Sequence, residues 1–91
     1  MDKVDVPELV FRPHGWDDYL YWQAQDRKTL NRINRLIKDI LRDPFDGLGK
    51  PEALRHEYQG FWSRRIDEEH RLIYAVEVKR IVIIACRFHY E

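Results

Sequence analysis

The chain has 91 residues with 16 basic and 16 acidic side chains, so its formal net charge is zero. This length predicts one domain, residues 1–91, with a modest core, and the balanced charge excludes strong bulk attraction to nucleic acid. The single cysteine, Cys86, excludes an intramolecular disulfide, and without a bilayer-spanning apolar run or a signal-peptide pattern the sequence predicts a cytoplasmic protein with no membrane contact.

The N-terminal part predicts a short strand followed by a helix. Residues 1–8 are charged and contain a proline, so we expect a frayed extension, whereas residues 9–11 are apolar and predict a strand. A His-Gly pair interrupts the pattern, and from Trp16 onwards side chains recur at helical spacing. We expect Trp16 and Tyr19 to pack in the core and the two aspartates after Trp16 to occupy the first helical turn.

A second helix is predicted from Asp26, as its N-cap, to about residue 41. Its apolar stripe consists of Leu30, Ile33, Ile37, Ile40 and Leu41, with Leu36 to one side. Arg32, Arg35 and Lys38 occupy the other face, which would suit RNA or an acidic partner but which we interpret as solvated surface. Because almost no loop separates the two helices, we expect an antiparallel helical hairpin.

A loop rich in proline and glycine, residues 42–51, leads to a predicted β-hairpin formed by residues 61–66 and 71–76 around an acidic turn. If the register places Arg65 opposite Arg71, two permanent cations share one face of the hairpin, and their rigid forks of donors suit a phosphate. The alternative is that both arginines pair with the acidic residues of the turn, Asp67, Glu68 and Glu69.

Residues 81–86 are nearly all apolar and predict a central strand with the cysteine in the core. Alternation along this strand would send Arg87 and His89 to one side of the sheet and Phe88 and Tyr90 to the other. Three antiparallel strands after two helices predict an α+β fold, with the two N-terminal helices packed on one face of a small, mostly antiparallel sheet.

The candidate chemistry consists of a carboxylate, Glu52, the hairpin arginines and a C-terminal histidine, His89. The four histidines lack metal-ligand spacing, and the chain has neither a glycine-rich phosphate loop nor a serine-histidine motif. A base, fixed cations and an acid are sufficient to cleave RNA through attack of the ribose 2′-OH, which would leave DNA inert. From residue types alone, Glu52 and His89 are also compatible with exposed side chains of no catalytic role.

Six segments give the chain a resemblance to a known family. They are WDDYLYW at 16–22, PFDG at 44–47, GKPE at 49–52, GFWSRRI at 60–66, EEHRL at 68–72 and ACRFHY at 85–90. In this order they resemble the YoeB (Txe) toxins of the RelE/ParE superfamily, from about residue 10 to residue 90. The resemblance implies a microbial-RNase-like α+β fold and a metal-independent endoribonuclease that inhibits translation by cleaving mRNA in the ribosomal A site.

Carried over by position, the resemblance implies roles for six side chains. They are a general base (Glu52), a general acid (His89), a phosphate-stabilising arginine (Arg71) and three substrate-binding side chains (Arg55, Arg65 and Tyr90). No metal or other cofactor is implied. The chain departs from the family pattern in carrying about six extra residues before the first strand and in ending with Glu91, whose carboxylate could repel RNA.

The resemblance also implies partners: a YefM-type antitoxin, and a bacterial ribosome with mRNA in its A site. Family members often form a homodimer, which exposed aromatic residues near Tyr21 and Trp22 would permit here. Two alternatives remain open, a gyrase-inhibiting ParE-like toxin and a non-catalytic module whose hairpin arginines only bind an acidic antitoxin.

Overall fold

The computed structural model describes residues 7–88, which form two helices and one mixed sheet. The elements in chain order are β1 (Glu8–Phe11), α1 (Pro13–Gln25), α2 (Arg27–Arg42), β2 (Glu52–Ala53), a 3-10 turn (His56–Tyr58), β3 (Phe61–Arg65), β4 (Arg71–Glu77) and β5 (Arg80–Ala85). The five strands lie in the order β1-β5-β4-β3-β2, and β1 runs parallel to β5 while all other neighbours are antiparallel. The predicted α+β class is confirmed. The last strand is an interior strand between β1 and β4, but the central strand of the five is β4.

The core lies between α2 and one face of the sheet. Its fully buried apolar side chains are Ile33, Leu36 and Ile40 from α2, Leu72 and Tyr74 from β4, and Ile81 and Ile83 from β5. Burying each such side chain contributes about 1.5–3 kcal/mol. The stripe predicted for α2 is therefore confirmed, with two exceptions. Leu36, which we placed to one side, is fully buried, and Leu41 is only partly buried at the edge of the core.

Helix α1 begins at Pro13 rather than at Trp16, so the predicted start is wrong. Proline suits the first helical position because its ring presets φ and its missing N–H would have had no partner there. The His-Gly pair is consequently helical, and Gly15 is buried against β5, where an added Cβ would lie 2.6 Å from the carbonyl oxygen of Ile83. The first turn of α1 contains no acidic residue, contrary to our expectation.

The aromatic residues of α1 are distributed differently from the prediction. Trp16 is 45% exposed and stacks on Tyr19, which packs against the edge of the core. Trp22, which we expected at the surface, is only 7% exposed. The buried residues of α1 are Gly15, Asp18 and Trp22, so this is the face that packs against the sheet, and Trp16 lies beside it.

A single residue, Asp26, separates the two helices, so the predicted short connection is confirmed. Its carboxylate accepts hydrogen bonds from the backbone N–H groups of Lys28 (3.1 Å) and Thr29 (3.2 Å), as expected of an N-cap. A hydrogen bond from the Thr29 hydroxyl, followed by the bond from the Thr29 backbone, lowers the pKa of Asp26.

Strand β1 forms one edge of the sheet, with Leu9 beside Ile81 and Phe11 beside Ile83. The predicted frayed segment, residues 1–8, lies mostly outside the described residues, but Glu8 belongs to this strand and donates its N–H to the Lys79 carbonyl (2.9 Å). Within the described part of the chain, neither helix is long and apolar enough to cross a membrane.

Candidate functional site

The two hairpin arginines lie directly opposite each other, because the β3–β4 register pairs Arg65 with Arg71. Leu72 and Tyr74 belong to the core beneath the helices, and residues alternate between the two faces of a strand. Arg65 and Arg71 therefore project from the face of the sheet that the helices do not cover. Arg65 is exposed and Arg71 is partly buried.

Neither arginine forms an ion pair with an acidic residue of the turn within residues 7–88. Arg71 Nη1 instead donates to the backbone carbonyls of Asp67 (2.8 Å) and His70 (3.1 Å). The Asp67 carboxylate accepts hydrogen bonds from the backbone N–H groups of Glu69 (2.8 Å) and His70 (2.6 Å). The turn thus positions the Arg71 guanidinium without neutralising it, and the two opposed cations suit an anion that carries several oxygen acceptors.

Glu52 lies on the same face as the two arginines. In the antiparallel β2–β3 pair it is opposite Ser63, which precedes Arg65 by two residues and therefore projects to the same side. The Glu52 side chain is exposed. The structure thus places one carboxylate and two guanidinium groups on a surface that no described helix covers.

A cavity of about 360 Å³ adjoins this carboxylate and is lined by residues 52–58. Arg55, the predicted substrate-binding residue, belongs to its wall and precedes the 3-10 turn. His56 follows with φ of 58°, a left-handed conformation that turns the chain sharply. The cavity falls within the size range of pockets for small ligands.

Strand β5 ends at Ala85, one residue earlier than predicted. The Cys86 N–H donates to the buried carboxylate of Asp18 (2.9 Å), and the Trp22 indole N–H donates to the Cys86 carbonyl (2.8 Å). Helix α1 therefore takes over the backbone hydrogen bonds that a neighbouring strand would otherwise supply. Burial, together with the charge of Asp18, raises the pKa of the Cys86 thiol to about 12, as suits a core residue rather than a nucleophile.

The chain then bends at Phe88, so strand alternation does not continue through this residue. Phe88 has φ of 65°, its N–H donates to His70 Nδ1 (2.7 Å), and its carbonyl accepts from the Arg71 backbone N–H (3.0 Å). The last described residue is thus bonded to one of the two opposed arginines. The remaining predicted site residues, His89 and Tyr90, and the additional Glu91 lie outside the described residues.

Arg64 is the residue whose role the sequence did not indicate. It is completely buried, although the exposed Arg65 follows it directly. Its guanidinium donates five hydrogen bonds: to Tyr74 Oη (3.1 Å), Asp39 Oδ2 (2.6 Å), and the carbonyls of Leu48 (3.1 Å), Asp43 (2.6 Å) and Asp46 (3.2 Å). It therefore fixes the loop that precedes Glu52. Strand alternation alone would have placed Arg64 on the core side, between Trp62 and Ile66.

Asp39 is the carboxylate that receives this buried guanidinium. Its oxygens also accept hydrogen bonds from the Leu48 backbone N–H (2.9 Å) and from Arg42 Nε (3.0 Å). The Leu48 N–H, followed by the bonds from Arg42 and Arg64, lowers the pKa of Asp39 to about 2. Asp39 thus remains ionised throughout the neutral range.

Among the described residues, no group of three histidine, cysteine or acidic side chains could hold a metal ion. The groups that the structure brings together on this surface are a carboxylate and two guanidinium cations. A carboxylate can accept a proton, and guanidinium groups can stabilise negative charge that develops on a phosphate.

Comparison with known proteins identifies a family that the chain matches. Residues 11–90 match the family described as YoeB-like toxin of bacterial type II toxin-antitoxin system. The chain is 57% identical over 83 residues to toxin YoeB of Escherichia coli (strain K12), covering 91% of this chain and 99% of that protein. Two Staphylococcus aureus structures are also similar. The YoeB dimer has a TM-score of 0.86 at 42% identity, covering 93% of this chain and 99% of that one. The YoeB-YefM complex has a TM-score of 0.85 at 41% identity, covering 92% and 98%.

Proposed function

The chain belongs to the YoeB-like toxins of bacterial type II toxin-antitoxin systems, and we propose that it is an endoribonuclease that cleaves ribosome-bound mRNA. The observation that carries this proposal is the placement of Glu52, Arg65 and Arg71 on the helix-free face of the sheet. A phosphodiester offers the anionic oxygens that two opposed guanidinium groups can bind, and the ribose beside it offers the hydroxyl on which a carboxylate can act.

In the proposed reaction, Glu52 accepts the proton of the ribose 2′-OH as the 2′ oxygen attacks the adjacent phosphorus atom. Arg71 and Arg65 stabilise the charge that develops on the phosphoryl oxygens. His89 donates a proton to the departing 5′ oxygen, which leaves a 2′,3′-cyclic phosphate and a 5′-OH. Each positioned acid or base contributes roughly 10²–10⁴-fold, and no metal ion is required.

Substrate binding is proposed to involve Arg55 in the wall of the cavity beside Glu52, and Tyr90. A neutral chain attracts free RNA weakly, because affinity for nucleic acid rests largely on phosphate neutralisation. This agrees with an enzyme whose mRNA substrate is presented by the ribosome. The site of action is accordingly the cytoplasm.

The proposed protein partners follow from the relatives. The Staphylococcus aureus YoeB forms a dimer in one structure and a complex with YefM in another. We infer that this chain likewise binds a YefM-type antitoxin and forms a homodimer. Of the aromatic pair suggested for the dimer surface, only Tyr21 is at the surface, because Trp22 is buried.

The proposal is tested by in vitro translation with mapped mRNA breaks. The unsubstituted protein should cut the message at ribosome-bound positions and leave 2′,3′-cyclic phosphate ends. Arg71→Ala should slow cleavage by about 10²–10³-fold, because a donor to the developing charge is lost. The matched control is Arg80→Ala. This exposed arginine begins β5, lies near the carboxylates of Glu8 and Glu77, and should leave cleavage unchanged.

Full cleavage by both Arg71→Ala and Glu52→Gln would contradict the proposed roles of Arg71 in stabilising the phosphoryl oxygens and of Glu52 as the general base. An intact message together with blocked supercoiling would identify a gyrase inhibitor instead. A free protein that affects neither translation nor supercoiling, yet still binds a YefM-type antitoxin, would be a non-catalytic binding module.

A further inference from the structure

The short segment after β5, residues 86–88, is not paired with a neighbouring strand. Four of its backbone groups are nevertheless hydrogen-bonded, namely the N–H and C=O groups of Cys86 and Phe88. Helix α1 supplies the partners of Cys86 through Asp18 and Trp22. The β3–β4 turn and the start of β4 supply the partners of Phe88, through the His70 side chain and the Arg71 backbone N–H. The point at which the chain continues to His89 is therefore fixed by groups from two different elements.

His70 is itself held in one orientation. Its N–H donates to the Asp67 carboxylate (2.6 Å), and its carbonyl accepts from the Ile66 N–H (3.0 Å). The imidazole lies edge-on to the Trp22 ring with 4.9 Å between centroids, and its side chain is 12% exposed. An imidazole wedged in this way has little freedom to leave Phe88.

The bond from Phe88 assigns the two ring nitrogens different roles. Nδ1 accepts the Phe88 N–H, so in the neutral ring the N–H group is the one at Nε2. Nε2 lies 3.7 Å from a carboxylate oxygen of Glu69. The ring is thus an acceptor towards the C-terminal segment.

Phe88 needs such an acceptor because its backbone is strained. A bulky aromatic residue rarely adopts positive φ, and here φ is 65°. The aromatic ring is 51% exposed, so packing of its own side chain cannot account for the conformation. The bonds to His70 and Arg71 hold the residue in this turn.

We propose that His70 is a positioning residue for the nuclease reaction. By holding the Phe88 N–H it fixes the last residue before His89, the proposed general acid. This inference rests on the proposed function. His70 touches neither substrate nor reacting atoms in this role, since it acts through the backbone of Phe88.

Three substitutions separate positioning from mere structural support. The amide oxygen of His70→Asn can occupy the place of Nδ1, whereas that of His70→Gln reaches the place of Nε2 and His70→Ala has no acceptor. We expect His70→Ala and His70→Gln to lower kcat for mRNA cleavage about 10–100-fold with KM nearly unchanged, because the acid is misaligned while substrate binding remains. His70→Asn should restore kcat to within a few-fold of the unsubstituted protein.

A second measurement tests the hydrogen bond between the Phe88 N–H and His70 independently of cleavage. The ¹⁵N NMR signals of the His70 ring should report the neutral Nε2–H tautomer, and the Phe88 amide should exchange slowly with solvent. His70→Ala and His70→Gln should accelerate this exchange, whereas His70→Asn should keep it slow.

Equal loss of kcat in His70→Asn and His70→Gln, or undiminished kcat in His70→Ala, would overturn the positioning role. An Nδ1-protonated ring or a rapidly exchanging Phe88 amide would overturn the contact itself. If the unsubstituted protein leaves mRNA intact while the NMR signals match expectation, the proposed function fails and the contact stands.

Discussion

At the scale of single residues, two neighbouring arginines of β3 lie in opposite environments. Arg64 is completely buried with five hydrogen bonds, while Arg65 is exposed without an ion pair among the described residues. A buried guanidinium is tolerated only when its donors and charge are matched, and here Asp39 and loop carbonyls match them. The same residue type therefore stabilises the loop at one position and remains available to an anion at the next.

Arg64→Ala should lower the free energy of unfolding by about 3–5 kcal/mol, because Asp39 and the loop carbonyls lose their buried partner. Arg65→Ala is the matched control and should change stability by less than about 0.5 kcal/mol, as is usual for exposed positions. Urea denaturation with an unchanged m-value measures both. Equal stabilities for the two variants would contradict the anchoring role of Arg64.

At the scale of elements, local signals predicted those parts whose conformation is decided locally. The N-cap at Asp26, the stripe of α2 and the existence of the hairpin follow from capping chemistry, helical period and the short turn, whereas the register of the hairpin was left open. The predicted start of α1 and the predicted end of β5 were wrong, because both boundaries depend on contacts between these two elements. Gly15 lies against Ile83, and Asp18 binds the Cys86 N–H. No local pattern reveals contacts between residues so distant in the sequence.

The candidate site was predictable only in part, because some of its residues are brought together by local structure and others by contacts between distant parts of the chain. The opposed arginines required only the hairpin register, which was a condition at the level of sequence and which the structure supplies. The contribution of β2 as an edge partner of β3, which brings Glu52 to the same face, required the path of the loop. That path is set by the buried Arg64, whose partners come from five separate positions.

Asp26→Ala should reduce stability by about 0.5–2 kcal/mol, because the first backbone N–H groups of α2 lose their cap. For a domain of this size, each kcal/mol lowers Tm by roughly 4–8 °C. Thermal unfolding followed by circular dichroism measures the change. Asp17→Ala, an exposed aspartate inside α1, is the control, and an equally large loss there would argue against a capping effect at Asp26.

At the scale of the whole molecule, stability depends on ionised groups as well as on the apolar core. Asp39 joins three parts of the fold, because it lies on α2, caps the Leu48 N–H of the loop and binds Arg64 of β3. These contacts are strongest with the carboxylate ionised. Its pKa in the folded chain is about 2, compared with 3.8 as the ordinary value, so folding favours the charged form.

The sign of the resulting pH dependence follows directly. A depressed folded-state pKa contributes stability above the ordinary value of 3.8, and this contribution is lost as pH falls towards about 2. Urea unfolding between pH 7 and pH 3 should therefore show a decline, of which Asp39 accounts for at most about 2 kcal/mol. Asp39→Asn should be less stable than the unsubstituted protein at pH 7, with the difference narrowing in acid. A difference independent of pH would contradict an electrostatic origin.

The pairing of β1 with β5 has a consequence for how the molecule is made. Residues 8–11 are translated before their partners at 80–83. The nascent chain therefore carries its first strand unpaired while both helices and the hairpin are made, and β1 can join the sheet only after β5 has been synthesised. The bend at Phe88 and its bonds to the hairpin form later still, so the surface that carries the arginine pair is completed only after every strand of the sheet has been synthesised.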